Sequence, residues 1–265
     1  MRPGAGLMHP CCVSLRWLTA FLDFPAGTFE RGVDFWREAT GCGLSSFRGA
    51  DGEFATLLPL SGDAYLRVQR VRQGPGGCHL DLHVDSAATS LDDMAARAAG
   101  LGARVRRRAD GGLIIADSPG GFTFCLVRWH GESVVPGPLI AADGAASRVD
   151  TLCLDVPPEL FDQECSFWSA LTGWRTGPAP VPGYTYLSEP PGIAMAVRLL
   201  LQRLDSAPAE QPVRAHVDFG CTERRDTLGR HLALGSRIIA EPGYWTVLAD
   251  PTGREYCLVN RVLTR

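Results

Sequence analysis

LDFPAGTFERGVDFWREATG, residues Leu22–Gly41, recurs without a gap as LDVPPELFDQECSFWSALTG, residues Leu154–Gly173. Asp23 and Asp155, Pro25 and Pro157, Phe29 and Phe161, Phe35 and Phe167, Trp36 and Trp168, Thr40 and Thr172, and Gly41 and Gly173 all stand 132 residues apart. The same interval separates Cys125 in GGFTFCLV from Cys257 in GREYCLV. A fixed period of this kind makes each copy one structural unit, so it ranks ahead of any single motif. The expected organisation is an N-terminal tail over 1–15, a first domain over 16–128, a Gly-, Pro- and Ala-rich linker over 129–147 and a second domain over 148–265.

Within each copy the periodicity alternates between strand and helix. Phe29, Val33 and Trp36 fall at i, i+4 and i+7, as do Phe161, Cys165 and Trp168, which predicts an amphipathic helix closed by a glycine. Extended runs follow at LSSFR, FATLLPL and AYLRVQRV in the first copy. The pattern then restarts with the strand HLDLHVD, a helix carrying Leu91, Met94, Ala98 and Leu101 on one side, and strands at RVRRR, GLIIAD and FTFCLV. The second copy follows with LLLQRL, HVDFGC, a helix around RRDTLGRHLALG, RIIA, YWTVLAD and EYCLV. Each copy is therefore strand, helix and three strands, performed twice.

Composition narrows the function. The 265 residues are 45% hydrophobic and 21% charged with a net charge of −3, a globular balance with no electrostatic case for nucleic acid or an anionic membrane. Arg106, Arg107 and Arg108 read as a solvated strand end. No apolar run approaches the ~20 residues of a membrane span, and the first residues lack the apolar core of a secretion signal, so a cytoplasmic location is expected. Nine cysteines, an odd number without CxxC spacing, suit free thiols better than a disulfide framework.

The paired modules, the FW…TG helix ending and the closing ADPTGREYCLV resemble the vicinal-oxygen-chelate superfamily of glyoxalases, bleomycin-resistance proteins and extradiol dioxygenases. The resemblance runs from about Trp17 to the C-terminus. It implies an α+β fold of two tandem glyoxalase-like domains, each made of two βαβββ modules forming an open eight-stranded cup with helices outside. Active members of that superfamily hold a divalent metal in the cup through the first, fourth, fifth and eighth strands, usually with His or Gln, Glu, His and Glu. Those positions fall here on Thr19, Gln69, His79 and Cys125 in the first copy, and on Thr151, Gln202, His216 and Cys257 in the second. A two-residue shift on the first strand substitutes Trp17 and Val149, which are not ligands either.

This quartet offers no carboxylate for a hard ion and lacks the two His and one carboxylate of an iron oxygenase. No metal cofactor is expected on that ground; zinc at His79 with Cys125, or at His216 with Cys257, is the residual route. Alternation along HLDLHVD puts Leu80, Leu82 and Val84 on one side and His79, Asp81 and His83 on the other; Val217 and Phe219 likewise oppose His216 and Asp218. That polar side is either the lining of a cup or the solvent face of a half-exposed sheet. Cys125 and Cys257 are small apolar fillers, or nucleophiles if a neighbouring base lowers their pKa.

Two readings of function follow. In one, the chain is a small-molecule-binding protein that takes a bulky natural product or antibiotic in a metal-free cup, lined by Trp17, Phe21, Tyr184, Tyr186 and Trp245. In the other it is an isomerase, lyase or cyclase acting on a small carbonyl or polyphenolic compound, with His79 or His216 as the proton carrier oriented by Asp81 or Asp218. A scaffold with two relict cups fits the same residues. Enzyme status, substrate and the choice between monomer and homodimer stay open at this level.

Overall fold

The computed structural model describes residues 14–109, 112–208 and 210–263. Most of the expected N-terminal tail, with Cys11 and Cys12, lies outside the described residues. The first half runs β1 (Leu15–Pro25), α1 (Phe29–Thr40), β2 (Gly43–Leu44), β3 (Phe54–Leu58), β4 (Leu66–Val71), β5 (Gly77–Val84), α2 (Leu91–Gly100), β6 (Arg104–Ala109), β7 (Leu113–Asp117) and β8 (Thr123–Arg128). A short β9 (Leu139–Ile140) leads into the second half: β10 (Ala146–Val156), α3 (Phe161–Thr172), β11 (Arg175–Pro178), β12 (Tyr184–Ser188), β13 (Arg198–Arg203), β14 (Arg214–Cys221), α4 (Arg224–Ala233), β15 (Arg237–Ala240), β16 (Trp245–Ala249) and β17 (Glu255–Asn260). The strand expected at LSSFR shrinks to β2. Beyond it the chain leaves the ladder, and only Arg48 pairs again, as an isolated bridge to Phe54.

Each half forms one open sheet, ordered β2-β3-β4-β1-β5-β8-β7-β6 and β11-β12-β13-β10-β14-β17-β16-β15, with β9 added beside β10. β1 pairs in parallel with β4, and β5 with β8; the antiparallel β1–β5 pair joins the two modules at the centre. The second sheet repeats this through β10, β13, β14 and β17. Period-two alternation then divides every central strand. Leu18, Ala20, Leu22 and Phe24 belong to the apolar core under the helices, whereas Thr19, Phe21 and Asp23 share the opposite face with His79, Asp81 and Cys125.

The repeated FW…TG segment does the same work twice. Thr40 and Thr172 donate their hydroxyls back to the carbonyls of Trp36 (2.5 Å) and Trp168 (2.7 Å), and Gly41 and Gly173 end the helices at φ +66° and +74°, a left-handed conformation suited to glycine. Each tryptophan then crosses to the other half. The Trp36 ring stacks on Phe219 of β14 with centroids 5.8 Å apart, meets Tyr256 of β17 edge-on and donates its indole N–H to Asp250 at 2.9 Å. Trp168 packs edge-on against Phe124 of β8 at 5.4 Å. Its indole donates to Glu164, whose other oxygen accepts the N–H of Gly120 from the first half at 2.6 Å. The two halves consequently share one continuous apolar core, with α1 and α3 contributing to both.

Candidate functional site

The second cup holds a cavity of about 470 Å³. Its polar floor contains His216 and Asp218 from β14, Cys257 from β17, Cys153 from β10 and Gln202 from β13. Tyr184 and Trp245 meet edge-on at 5.9 Å to form an aromatic wall, and Tyr186, Leu200 and Val259 extend it. Ala179–Val181 and Gly243–Tyr244 stand at the rim between strand ends.

Register brings the floor together. Cys153 pairs with His216 across the antiparallel β10–β14 ladder, and Asp218 pairs with Cys257 across the parallel β14–β17 ladder. The ring of His216 is fixed from one side, its Nδ1–H donating to Asp155 at 2.9 Å; its Nε2 is left 3.4 Å from Oδ1 of Asp218. Burial works against a charged imidazole here, but the Asp155 carboxylate and the neighbouring Cys153 and Cys257 together outweigh it, and the His216 pKa stands well above the ordinary value. Asp218 is 4% exposed; Oδ2 meets Arg261 at 3.3 Å, while Oδ1 is buried with no hydrogen-bond partner. Burial pushes the Cys257 thiol up and Cys153 up to about 12, so both carry their protons at neutral pH. Burial raises the Cys125 thiol of the first cup as well, so the nucleophile expectation for Cys125 and Cys257 lacks the lowered pKa it requires.

His216, Asp218 and Cys257 offer ligand atoms within 4.8 Å of one another, as do His79, Asp81 and Cys125 in the first cup. An imidazole, a carboxylate and a thiol at this separation suit a zinc-like ion, whose ligand atoms sit roughly 3.5 Å apart in a tetrahedron. The Asp155–His216 contact is the carboxylate–histidine arrangement that fixes a metal-binding tautomer, and the orphaned Oδ1 of Asp218 lacks a partner such an ion would supply. The donor set therefore fits a borderline-soft divalent metal.

The first cup is built on the same frame with different fittings. His79 Nδ1 lies 2.7 Å from Asp23, the counterpart of the His216–Asp155 pair. Phe21 stacks on the His79 ring at 4.1 Å, and the Arg67 guanidinium lies over Phe21 and 3.5 Å from Asp81. Thr19, expected at a ligand position, is fully buried, its hydroxyl 2.9 Å from Nε2 of His83, whose other ring nitrogen faces Glu132 at 3.6 Å. Trp17 is fully buried as well, donating its indole N–H to the carbonyl of Ala64, and Gln69 pairs with Asp23 along β1–β4. In the second half, Thr151 is buried and donates to Asp150 at 3.0 Å, whereas Gln202 reaches the cavity.

The sequence profile of the "Glyoxalase-like domain" family matches residues 19–127 and again 151–259. The chain belongs to the glyoxalase-like domain family. Solved structures share the glyoxalase-like fold at low identity. A Mn(II)-bound glyoxalase from Novosphingobium aromaticivorans aligns with a TM-score of 0.63 at 15% identity, over 94% of this chain and 82% of that one. A 2,2',3-trihydroxybiphenyl 1,2-dioxygenase from Sphingomonas wittichii aligns at 0.61 and 14%, over 94% and 91%. The 2,3-dioxygenase LapB from a Pseudomonas species aligns at 0.63 and 13%, over 95% and 94%. No curated protein matches the sequence.

The expectation of no metal cofactor is overturned. It rested on the missing carboxylate of the eighth strand. Asp81 and Asp218, two residues beyond each histidine on the fifth strand, supply one to the ligand-sized groups in both cups, and the glyoxalase-like fold is shared with a Mn(II)-bound protein. Each histidine also has a second carboxylate that the sequence reading did not assign to it. Asp23 and Asp155, seen only as repeat matches, hold the Nδ1 atoms, while Asp218 stands 3.4 Å from the other ring nitrogen of His216 and Asp81 offers an oxygen within 4.8 Å of a His79 ring nitrogen. Arg67 and Cys153 escaped notice because neither is repeated in the other copy: Leu200 stands opposite Cys153 where Arg67 stands opposite Phe21.

Proposed function

We propose that the chain binds a small, uncharged aromatic molecule in the second cup, beside a divalent metal held by His216, Asp218 and Cys257. The observation that carries this reading is the 470 Å³ cavity opening onto that group, a volume in the range that takes drug-sized ligands. Its walls are aromatic. Its cations are already committed, Arg198 to Asp150 at 2.7 Å and Arg261 to both Asp150 and Asp218, which favours a ligand without a free anionic group. When bound, the metal supplies Lewis-acid polarisation of a carbonyl or phenolic oxygen. Asp155 sets the His216 tautomer, Tyr184 and Trp245 stack the ligand, and the Tyr184 hydroxyl, whose pKa burial raises, stays protonated as a donor. A single histidine in the group argues against the two-histidine iron centre of ring-cleaving oxygenases.

Cobalt(II) titration tests the metal. One equivalent with a thiolate-to-cobalt charge-transfer absorption, lost in Cys257→Ser, is expected; an unchanged absorption in that variant would refute the assignment. Biphenyl-2,3-diol, a two-ring phenol like the one naming the Sphingomonas enzyme, is a suitable ligand probe through Trp245 fluorescence. The His216–Asp155 pair also favours an isomerase, lyase or cyclase that moves a proton within the bound molecule. Deuterium incorporation into the recovered ligand distinguishes turnover from binding alone.

A further inference from the structure

The two cups share their histidine, both aspartates and the last-strand cysteine; among the positions that differ around those groups are Phe21 and Arg67 against Cys153 and Leu200, and Trp129 against the Arg261 that meets Asp218. On the first strand, Phe21 stands where the second half has Cys153, each paired with the cup histidine across the central ladder. On the fourth strand, Arg67 pairs with Phe21, whereas Leu200 pairs with Cys153. In the first cup these two side chains form a stack of three: the Arg67 guanidinium over the Phe21 ring at 5.5 Å, and the Phe21 ring on the His79 imidazole at 4.1 Å with 19° between planes. The same guanidinium reaches Asp81, the carboxylate of the candidate ligand group, at 3.5 Å.

We propose that Arg67, seated on Phe21, is the first cup's own cation: it neutralises Asp81 and closes the His79–Asp81–Cys125 group to a metal ion, so that a metal enters only the second cup. The inference rests on the metal reading of that cup. Charge supports it. An ion approaching Asp81 has to displace a guanidinium that is itself seated on the Phe21–His79 stack. In the second cup Leu200 brings no charge. Arg261 there takes Oδ2 of Asp218, shares its charge with Asp150 at 2.6 Å and leaves Oδ1 free toward His216. Cys153 adds a second thiol beside the His216 ring, with Asp155, where the first cup has a phenyl.

Metal stoichiometry provides the test, read on the full chain after dialysis against cobalt(II) and against zinc, with circular dichroism as the control for folding. Arg67→Leu combined with Phe21→Cys, which gives the first cup the second cup's residues at these two positions, is expected to bind one equivalent more than the unaltered chain, and His79→Ala in that background to remove it. No gain in the folded double variant overturns the proposal, whatever the second cup binds. Should that variant fail to fold, His79→Ala alone decides: unchanged metal content supports a closed first cup, and loss of an equivalent overturns it. Failure of the metal reading itself looks different, since the unaltered chain then binds no cobalt and Cys257→Ser changes nothing.

Discussion

Asp155 holds Nδ1 of His216 at 2.9 Å, and this contact turns the other ring nitrogen onto Asp218. The two aspartates thus have separate jobs: one orients the ring, and the other shares the ligand position that Nε2 faces. Asp155→Asn keeps the volume and removes the charge that fixes the tautomer. Cobalt affinity is expected to fall by about 10- to 100-fold with the fold intact; a titration curve matching the unaltered chain would refute the orienting role.

Proton and metal compete for the same edge of His216. Its pKa is raised, so at neutral pH Nε2 holds a proton that a metal must displace, and the Cys257 thiol, also raised by burial, must lose one too. Metal affinity therefore rises with pH, by at least about tenfold per unit while His216 remains protonated. Dissociation constants at three pH values between 6 and 8 check the slope, and a flat profile contradicts it.

His231 behaves oppositely. Buried among Phe35, Phe219 and Tyr256, with Nδ1 2.7 Å from the Tyr256 hydroxyl, it is pushed down to about 3 by burial, with help from Arg230. Above the ordinary imidazole value near 6.5 neither state carries the proton; below it the unfolded chain binds one that the folded chain refuses. Stability is lost as pH falls from about 6.5 towards 3, by up to about 1.4 kcal/mol per unit from this residue. His79 and His216, both raised, contribute in the opposite sense, so the comparison is best made between the unaltered chain and His231→Gln. Urea titrations at pH 7, 6 and 5 are expected to show the shallower decline in the variant.

Trp36 ties the first helix to the second sheet through Asp250 and the Phe219–Tyr256 pair. Trp36→Phe keeps a ring but removes the indole donor, at a cost of about 1–3 kcal/mol. Because both halves share this core, tryptophan fluorescence and far-ultraviolet dichroism are expected to report one coincident unfolding transition; two separated transitions would show the halves to be independent.

The fold was legible because its determinants are local and duplicated. Trp36 and Trp168, with Thr40, Thr172 and the closing glycines, mark the same helix twice at an interval that a comparison of the two copies exposes. The candidate site was legible only as far as the faces of strands: His79, Asp81, His216, Asp218, Cys125 and Cys257 do share the predicted polar side. Which of them touch depends on register between strands far apart in sequence, and alternation along one strand carries no information about that. Asp23 reaches His79 because β1 and β5 run antiparallel with Phe21 opposite His79, a pairing that no residue of either strand announces. The search for an eighth-strand carboxylate failed for the same reason, since a neighbouring strand supplies the oxygen two residues further on.

The crossing tryptophans also bear on how the two copies have diverged. With each helix finishing the interior of the other half, neither copy's core is complete without side chains from its twin. The shared packing constrains the helices of both halves more tightly than the cup faces, where Phe21 and Arg67 stand in one half and Cys153 and Leu200 in the other.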